Sequence, residues 1–345
     1  MFVSMNRPRA FDVGPMPLSS TNRPAPKTAL VIGATGSIGG EVGRALLARG
    51  WRVRALNRNP EMAATAAPRL AGADWVRGDA MLPASVIPAA EGCALIVHAA
   101  NPPQYRNWEG LVMPMLDSTI AAAKAHGARI FFPGTVYNFG PDAGALVDER
   151  APQNPLTRKG KLRVTMERRL EAAASDGVRV MIVRAGDFFG PFTTPNSWFS
   201  SVFAQPGRPV RLMMRPGPAK VGHAWAYLPD LAETIVRLAE RADDFAPFEV
   251  FHFGGHWTDA TADIPETIRR VVGRSIPIVA FPWPLVRLLS PFNETFREML
   301  EMRYLWKRPL RLDNAKLVKT LGAEPHTPLE QAVRQALAGA GCLTA

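Results

Sequence analysis

The sequence predicts an α/β fold in which a doubly wound parallel sheet carries helices on both faces, with a smaller C-terminal lobe. Three observations predict it. Short apolar segments alternate with longer helical segments over the first half of the 345 residues. The segment CALIVHAA (93–100) is almost entirely apolar, which is typical of a strand buried on both faces. A glycine-rich turn separates the first strand from the first helix.

The predicted elements are bounded by residues that end them. The first strand, in KTALVIG, runs into the glycine-rich turn, and the helix that follows ends at Gly50. A second helix, from about Trp108, ends at Gly127, and a third, from about Lys159, ends before Gly177. The predicted strands lie within the segments 27–50, 51–60, 73–83, 93–103, 128–141 and 178–186.

After Pro191 the alternation becomes irregular, and residues 192–222 are rich in proline, glycine and arginine. Periodicity still predicts several elements in this part of the chain. They are a strand and an amphipathic helix within 223–241, a strand within 248–255, a helix within 263–273, and two helices within 308–337.

Composition argues against several classes of protein. The net charge of +11 comes from scattered basic residues with no basic block interleaved with aromatics, so we expect no nucleic-acid partner. No apolar run approaches the roughly 18 residues that cross a membrane. Cys93 and Cys342 lie far apart and outside any Cys/His cluster. We therefore predict no metal site, no disulfide framework and a reducing, cytoplasmic location.

The turn VIGATGSIGG (31–40) joins a strand to the start of a helix. Glycines here allow a tight bend and a close approach of the backbone to a pyrophosphate, and the helix N-terminus adds N–H groups and a positive dipole end. Strand, turn and helix in this order predict a Rossmann-type dinucleotide site. The residues assigned to the loop are Gly33, Thr35, Gly36, Ser37, Ile38 and Gly39.

The end of the second strand bears on which dinucleotide binds. An acidic residue there would accept hydrogen bonds from the ribose of NAD, but the sequence has Asn57 and Arg58. Arg58 is suited to the 2′-phosphate of NADP, so we predict NADP, with NAD as the alternative. Asp79, after the third strand, either accepts from the adenine amino group or caps a helix.

These patterns together predict three regions of the chain. Residues 1–26 have no apolar core followed by a cleavage site, so we predict a disordered extension rather than a secretory signal. Residues 27–190 form the Rossmann domain. Residues 191–345 form mostly a substrate-binding lobe, with about 223–255 returning to the Rossmann core.

From about residue 28 to 337 the sequence resembles the extended or atypical short-chain dehydrogenase/reductases, the NAD(P)-dependent epimerase/dehydratase family. The matching motifs, in the family's order, are GATGSIGG, GDAM, VHAAN, GTVYNFGP, VRAGDFFGP, HAWAYLPDLAETIV and LDNAKLVKTLGAEPHTPLEQAV. The resemblance implies that Ala99 and Ala100 lie over the nicotinamide ribose and Phe188 beside the nicotinamide. It also implies a small-molecule substrate and a possible homodimer.

In this family, a Tyr-x-x-x-Lys pair on the helix after the fifth strand performs acid–base chemistry, because the lysine and the cofactor lower the tyrosine pKa. The resemblance places Lys161 at the lysine position, which in the family also holds the nicotinamide ribose, and Thr157 at the tyrosine position. The family's Ser/Thr position falls on Pro133, with Thr135 two residues on. A threonine hydroxyl titrates far above a phenol, so Thr157 does not replace the tyrosine as a base.

Other proton carriers stay open at this point. A water held by Thr157 and Thr135 is one, and Tyr105, Tyr137 and Asp187 are others. Tyr137 either turns into the site or packs beneath its turn. Asp187 follows a strand at the carboxyl edge of the sheet and either serves the site or caps the turn.

Three functions are considered. The first is an NAD(P)-dependent oxidoreductase, epimerase or dehydratase that acts on a small polar or nucleotide-linked substrate with an atypical proton donor. The second is a catalytically weak or inactive NADP(H)-binding redox sensor, as in the NmrA-like branch of the family. The intact sheet edge and the large C-terminal lobe favour the first, whereas the missing tyrosine favours the second. The third, a non-redox binding or structural role, predicts decay of the glycine loop, which is intact.

Overall fold

The computed structural model describes residues 25–101, 108–193 and 197–343. The predicted disordered extension, 1–26, lies outside these residues except for Ala25 and Pro26. Tyr105, a candidate proton carrier, also lies outside the described residues.

Fourteen strands and twelve helices are formed by the described residues. The strands are β1 (Thr28–Ile32), β2 (Arg52–Asn57), β3 (Asp74–Arg77), β4 (Leu95–His98), β5 (Arg129–Thr135), β6 (Leu146–Val147), β7 (Arg179–Ala185), β8 (Asp187–Phe189), β9 (Met213–Arg215), β10 (His223–Tyr227), β11 (Phe248–His252), β12 (His256–Thr258), β13 (Ile278–Ala280) and β14 (Arg311–Leu312). The helices are α1 (Ser37–Ala48), α2 (Pro60–Ala66), α3 (Pro83–Ala89), α4 (Trp108–His126), α5 (Arg158–Ser175), α6 (Trp198–Val202), α7 (Leu228–Glu240), α8 (Asp263–Val272), α9 (Trp283–Leu289), α10 (Glu294–Met302), α11 (Ala315–Leu321) and α12 (Leu329–Gly339).

The main sheet has seven parallel strands in the order β11-β7-β5-β4-β1-β2-β3. The chain builds outwards from β1 to β3, crosses back to β4, and then builds in the opposite direction to β11. The winding therefore reverses between β1 and β4, and the carboxyl ends of these two strands border a crevice. This order confirms the predicted doubly wound, Rossmann-type α/β fold.

Helices cover both faces because the central strands are apolar on both sides. All four residues of β4 and all seven of β5 are buried. On one face, α1 and α7 pack together over a core that includes Val31 and Leu46. On the other face, α3, α4 and α5 cover a core that includes Ile96, Leu116 and Leu170.

The smaller C-terminal lobe begins where the chain leaves β7. Strands β8, β10 and β12 form a second sheet, and α8 and α12 pack together beside it. Its core contains Phe189, Trp225 and Trp306. Between β10 and β12 the chain returns to the main sheet, where α7 packs on α1 and β11 pairs with β7. The division of the chain at residue 190 stays a prediction.

Four short strands outside the main sheet were not predicted from the sequence. Strands β9 and β13 have three residues each, and β6 and β14 have two each. Alternation over two or three residues cannot be told from chance, so these pairings depend on tertiary contacts. Among the described residues, no helix combines the length and apolarity needed to cross a membrane.

A buried ion pair fastens α5 to the main sheet. Arg184 Nη2 on β7 lies 2.6 Å from Glu167 Oε2 on α5, and both side chains are almost completely buried. Arg184 Nη1 also lies 3.2 Å from His252 Nε2 on β11. Burial and the adjacent Arg184 charge lower the pKa of His252 to about 3, so this imidazole is neutral at pH 7. The cluster therefore fixes α5, β7 and β11 relative to one another.

Glu167→Gln tests this fastening. The substitution leaves the buried Arg184 guanidinium without a compensating charge, so we expect the free energy of unfolding to fall by about 3–5 kcal/mol. Urea denaturation measures it. Glu171→Gln, at an exposed position one turn further along α5, is the control and should change the value by less than about 0.5 kcal/mol. Equally small losses from both substitutions would contradict the role given to the pair.

Candidate cofactor site and active site

The glycine-rich turn after β1 lies directly against the end of β4. Gly33 has φ +90°, and a Cβ atom there would lie 2.5 Å from the Ala99 carbonyl oxygen. A Cβ on Gly39 would lie 2.3 Å from the Gly33 carbonyl oxygen. No side chain fits at either position, so the backbone alone forms the floor of the crevice at the reversal of winding.

Helix α1 begins at this floor. Its N-cap, Gly36, has no side chain to accept from the N–H groups of the first turn, and that turn contains no acidic residue. The N-terminal N–H groups and the positive end of the helix dipole are therefore free of competing local anions, as a bound phosphate requires. Thr35 is exposed at the rim, and Ser37 and Ile38 are half-buried.

Arg69 brings a positive charge to the same turn, and the sequence patterns gave no sign of it. Its Nη2 donates to the Gly36 carbonyl at 2.9 Å, and its guanidinium lies 4.9 Å from the centre of the Phe192 ring. The residue comes from the loop after α2, whereas Phe192 follows β8. Arg69 therefore joins the glycine turn to the segment that leads into the C-terminal lobe.

The residues predicted to discriminate NADP from NAD lie at the carboxyl end of β2. Asn57 is half-buried, and its Oδ1 accepts from the Asn59 N–H at 2.8 Å. Arg58 is exposed, and within the described residues its guanidinium has no hydrogen bond or ion pair. Its carbonyl accepts from Arg77 Nη1 at 3.0 Å, which holds the turn in place.

The remaining predicted cofactor residues line the same edge of the sheet. Asp79 Oδ1 accepts from the Met81 N–H at 2.9 Å, so this carboxylate closes a turn while staying half-buried. Ala99 and Ala100 follow β4 and are half-buried. Phe188, in β8, is half-buried against the core between the sheet and α1. The assignments of these residues to a cofactor stay predictions.

The predicted catalytic residues, at the start of α5 and the end of β5, differ in burial. Thr157 is the buried N-cap, and its Oγ1 accepts from the Gly160 N–H at 3.0 Å. Lys161 is exposed. Thr135 ends β5 and is buried, with its Oγ1 accepting from the Tyr137 N–H at 3.2 Å. The roles of Thr157, Lys161 and Thr135 in catalysis stay predictions.

Helix α5 turns two other cations inwards. Lys159 is buried, with Nζ 2.7 Å from Glu298 Oε2 of α10, and burial lowers its pKa to about 8. Arg163 Nη1 donates to the Pro133 carbonyl of β5 at 3.3 Å. Lys159 and Arg163 share one face because they are four residues apart, whereas Lys161 lies about half a turn away. Lys159 and Arg163 can be identified from the face of α5 that is buried, whereas the spacing from Thr157 points to Lys161.

A cluster of three side chains lies where β5 and β7 end. The Tyr137 hydroxyl donates to Asp187 Oδ1 at 3.0 Å, and His223 Nε2 lies 2.8 Å from Asp187 Oδ2. The His223 ring stacks on Trp306 with centroids 3.7 Å apart and planes 4° apart. Asp187 and His223 are each 5% exposed, whereas Tyr137 is half-buried. The structure thus brings together two of the proton carriers that the sequence left open.

A family model described as the NAD dependent epimerase/dehydratase family matches residues 29–254, from β1 to just beyond β11. An uncharacterized protein, y4nL, from Sinorhizobium fredii is 31% identical over 187 residues, which cover 47% of this chain and 51% of that protein. The chain therefore spans about half the length of this curated relative.

Solved structures of similar fold include two nucleotide-sugar enzymes. UDP-glucuronic acid 4-epimerase from Bacillus cereus, in complex with NAD, superimposes with a TM-score of 0.71 at 17% identity, covering 91% of this chain and 98% of that one. UDP-glucose 4-epimerase from Thermus thermophilus, in complex with NAD, has a TM-score of 0.68 at 18% identity, with the same coverage. At these identities the likeness shows the fold alone.

Gly33→Ala and Gly72→Ala form a matched pair that tests the floor of the crevice. Their φ angles are +90° and +96°, but nothing lies within 4 Å of a Cβ at Gly72. Both changes should cost about 1–2 kcal/mol of folding free energy through backbone strain. Only Gly33→Ala also displaces the Ala99 carbonyl, so only this variant should weaken NADPH and NADH binding, by at least about tenfold. Equal affinities of the two folded variants would contradict the assignment of the cofactor to this turn.

Proposed function

Because the chain belongs to the NAD dependent epimerase/dehydratase family, we propose that it is a nicotinamide-dependent oxidoreductase, epimerase or dehydratase. The observation that carries the proposal is the floor of the crevice, where Gly33 and Gly39 leave no room for a Cβ atom beside Ala99. A merely flexible turn does not require glycine at both positions. Such a backbone surface at a helix N-terminus is suited to a pyrophosphate.

The described residues fit a dinucleotide along the carboxyl edge of the sheet. The loop from Gly33 to Gly39 would hold the pyrophosphate, with Arg69 adding positive charge beside it. Asp79 would face the adenine, and Ala99 and Ala100 would lie under the nicotinamide ribose, with Phe188 beside the nicotinamide. When bound, the nicotinamide supplies hydride transfer at its C4 atom, and the protein must supply the proton chemistry.

We propose NADP as the cofactor in preference to NAD. Arg58 is exposed at the end of β2, and its guanidinium has no ion pair among residues 25–101, 108–193 and 197–343. A guanidinium placed there recognises a 2′-phosphate through charge-assisted hydrogen bonds. The two epimerases of similar fold were solved with NAD, so NAD is the alternative that the binding experiment must exclude.

The ribose and the substrate oxygen need cations and hydroxyl groups near the ends of β4 and β5. The resemblance assigns Lys161 to the ribose. Of the two inward-facing cations of α5, Arg163 reaches the Pro133 carbonyl of β5, whereas Lys159 pairs with Glu298 of α10. Thr157 and Thr135 each accept one backbone N–H, so each hydroxyl keeps its own hydrogen for donation to a water or a substrate.

The substrate that we propose is small and polar or nucleotide-linked. The two epimerases of similar fold act on UDP-sugars, and this chain likewise carries a lobe beyond the carboxyl edge of its sheet. The homodimer expected from the resemblance, and a cytoplasmic location, stay predictions. Leu116 of α4 and Leu170 of α5 are fully buried within the subunit and offer no contact to a second copy.

A redox sensor with little or no catalysis is the second candidate. The observation that favours it is the sequence of α5, RKGKLRVTMERRLEAAAS, which contains no tyrosine. Both functions require the cofactor to bind. They differ in turnover, because a sensor binds NADPH without transferring hydride to any carbonyl compound or nucleotide sugar.

Cofactor binding to Arg58→Ala tests the proposal. Titrations with NADPH and NADH follow quenching of tryptophan fluorescence and energy transfer to the nicotinamide. We expect Arg58→Ala to weaken NADPH binding by about tenfold or more and to leave NADH binding within about twofold, because only NADPH carries the 2′-phosphate. Arg52→Ala, at the exposed opposite end of β2, is the control and should change neither affinity.

Two other results have clear meanings. Tighter binding of NADH than of NADPH to the unmodified protein would contradict the preference for NADP. No binding of either dinucleotide would contradict both the enzyme and the sensor.

A further inference from the structure

Tyr137 is held at the mouth of the site by its backbone. Its N–H donates to Thr135 Oγ1, and a Cβ atom at Gly160 of α5 would lie 2.3 Å from its carbonyl oxygen. Within residues 131–140, all residues except Tyr137 are buried, and Tyr137 is half-buried. The backbone is therefore fixed between β5 and α5 while part of the phenol stays accessible.

The hydroxyl of Tyr137 donates to a carboxylate that is otherwise shielded from solvent. Asp187 Oδ1 accepts from Tyr137 at 3.0 Å, and Asp187 Oδ2 lies 2.8 Å from His223 Nε2. A buried carboxylate is costly unless its oxygens are hydrogen-bonded, and these two contacts satisfy one oxygen each. Because Trp306 stacks on the imidazole of His223, the ring orientation is fixed as well.

This cluster lies on the side of the crevice where a nicotinamide is expected. Tyr137 follows β5, and Asp187 follows β7 after a single residue, Gly186. Strand β5 lies between β7 and β4, and β4 neighbours β1 and its glycine turn. Since adjacent strands lie about 5 Å apart, Tyr137 stands roughly two strand spacings from the pyrophosphate floor, along the edge on which a dinucleotide extends.

We propose that Tyr137 is the catalytic acid–base residue, that Asp187 is the group with which it exchanges its proton, and that His223 is a positioning residue for Asp187. The inference rests on the proposed function and deepens it. It gives the chain a phenol at the site although α5 contains no tyrosine.

The proton transfers balance in either direction. In oxidation, the substrate hydroxyl gives its proton to the Tyr137 oxygen while the Tyr137 proton passes to Asp187 Oδ1. A bound oxidised nicotinamide would supply the acceptor for the carbon-bound hydrogen, which leaves as hydride. The substrate would then be a carbonyl compound, with the cofactor reduced and Asp187 protonated. In reduction, Asp187 returns its proton to Tyr137 as Tyr137 protonates the carbonyl oxygen.

The titratable groups nearest the phenol come from two strands. Asp187, which accepts from the phenol, belongs to β8, and His223, which contacts Asp187, belongs to β10. Tyr304 lies close enough that the Asp187 charge, after burial, raises its pKa. A positive charge brought near the phenol favours the phenolate, and the Asp187 charge opposes it.

Tyrosine-selective NMR tests the proposal without a known substrate. The chain has four tyrosines, so a protein labelled with 13C at the ring carbon that bears the hydroxyl gives four signals. Tyr→Phe variants assign them. The probe is NADP+, and tryptophan quenching in the same samples shows whether it is bound. We expect bound NADP+ to shift the Tyr137 signal and to lower its titration midpoint by roughly one pH unit. The Tyr227 signal, from a fully buried tyrosine that donates to Gln335, should stay unmoved.

The outcomes separate this inference from the proposed function. Saturation with NADP+ that leaves the Tyr137 signal and midpoint unchanged would overturn the inference while the proposed function stands. No quenching at any NADP+ concentration would overturn the proposed function, and the inference with it.

Variants of the two residues behind Tyr137 test the proton pathway. Asp187→Asn removes the neighbouring negative charge, so the Tyr137 midpoint should fall. His223→Phe keeps a ring that can stack on Trp306 but removes the hydrogen-bond donor to Asp187, so the titration midpoint of Tyr137 should rise. His223→Gln restores a donor and should return the midpoint towards that of the unmodified protein. If His223→Phe and His223→Gln give the same midpoint as the unmodified protein, His223 does not position Asp187 and that part of the inference fails.

Discussion

The close contact between the turn after β1 and the end of β4 is the constraint on which the rest of the site depends. A Cβ atom at Gly33 would lie 2.5 Å from the Ala99 carbonyl oxygen, so the two backbones meet with nothing between them. Helix α1 therefore begins directly at the crevice where the winding of the sheet reverses, and its N–H groups point to the space that a phosphate needs. Arg69 reinforces this position from outside by donating to the Gly36 carbonyl.

The second half of the site depends on one carboxylate. Asp187 begins β8, the strand that pairs with β10, and it accepts from Tyr137 while contacting His223. Trp306, a core residue of the lobe, stacks on His223. The Asp187 side chain therefore links the end of β5 to two strands of the C-terminal lobe. Any proton chemistry at Tyr137 is for this reason coupled to how the lobe sits over the edge of the sheet.

Much of the fold could be predicted from the sequence, because the central strands of the main sheet are apolar runs and most of the helices between them are long. The glycine turn was predictable for the same reason, since local backbone chemistry requires glycine there. The positions of Lys159 and Arg69 could not be predicted from the sequence. The spacing from Thr157 pointed to Lys161, whereas the face that α5 buries carries Lys159, and Arg69 reaches Gly36 from a loop more than thirty residues away. The pairing of Tyr137 with Asp187 joins residues 50 apart in sequence, so only the fold could bring them together.

The most direct measurement is a crystal structure of the protein with NADP+ bound. We expect a pyrophosphate on the turn from Gly33 to Gly39, the 2′-phosphate at Arg58, and the nicotinamide ring beside Tyr137, with the phenol oxygen about 3–4 Å from the space that a reacting substrate oxygen takes. A dinucleotide bound elsewhere would contradict the assignment of the cofactor to this crevice. A nicotinamide ring separated from Tyr137 by other side chains would contradict the role of Tyr137.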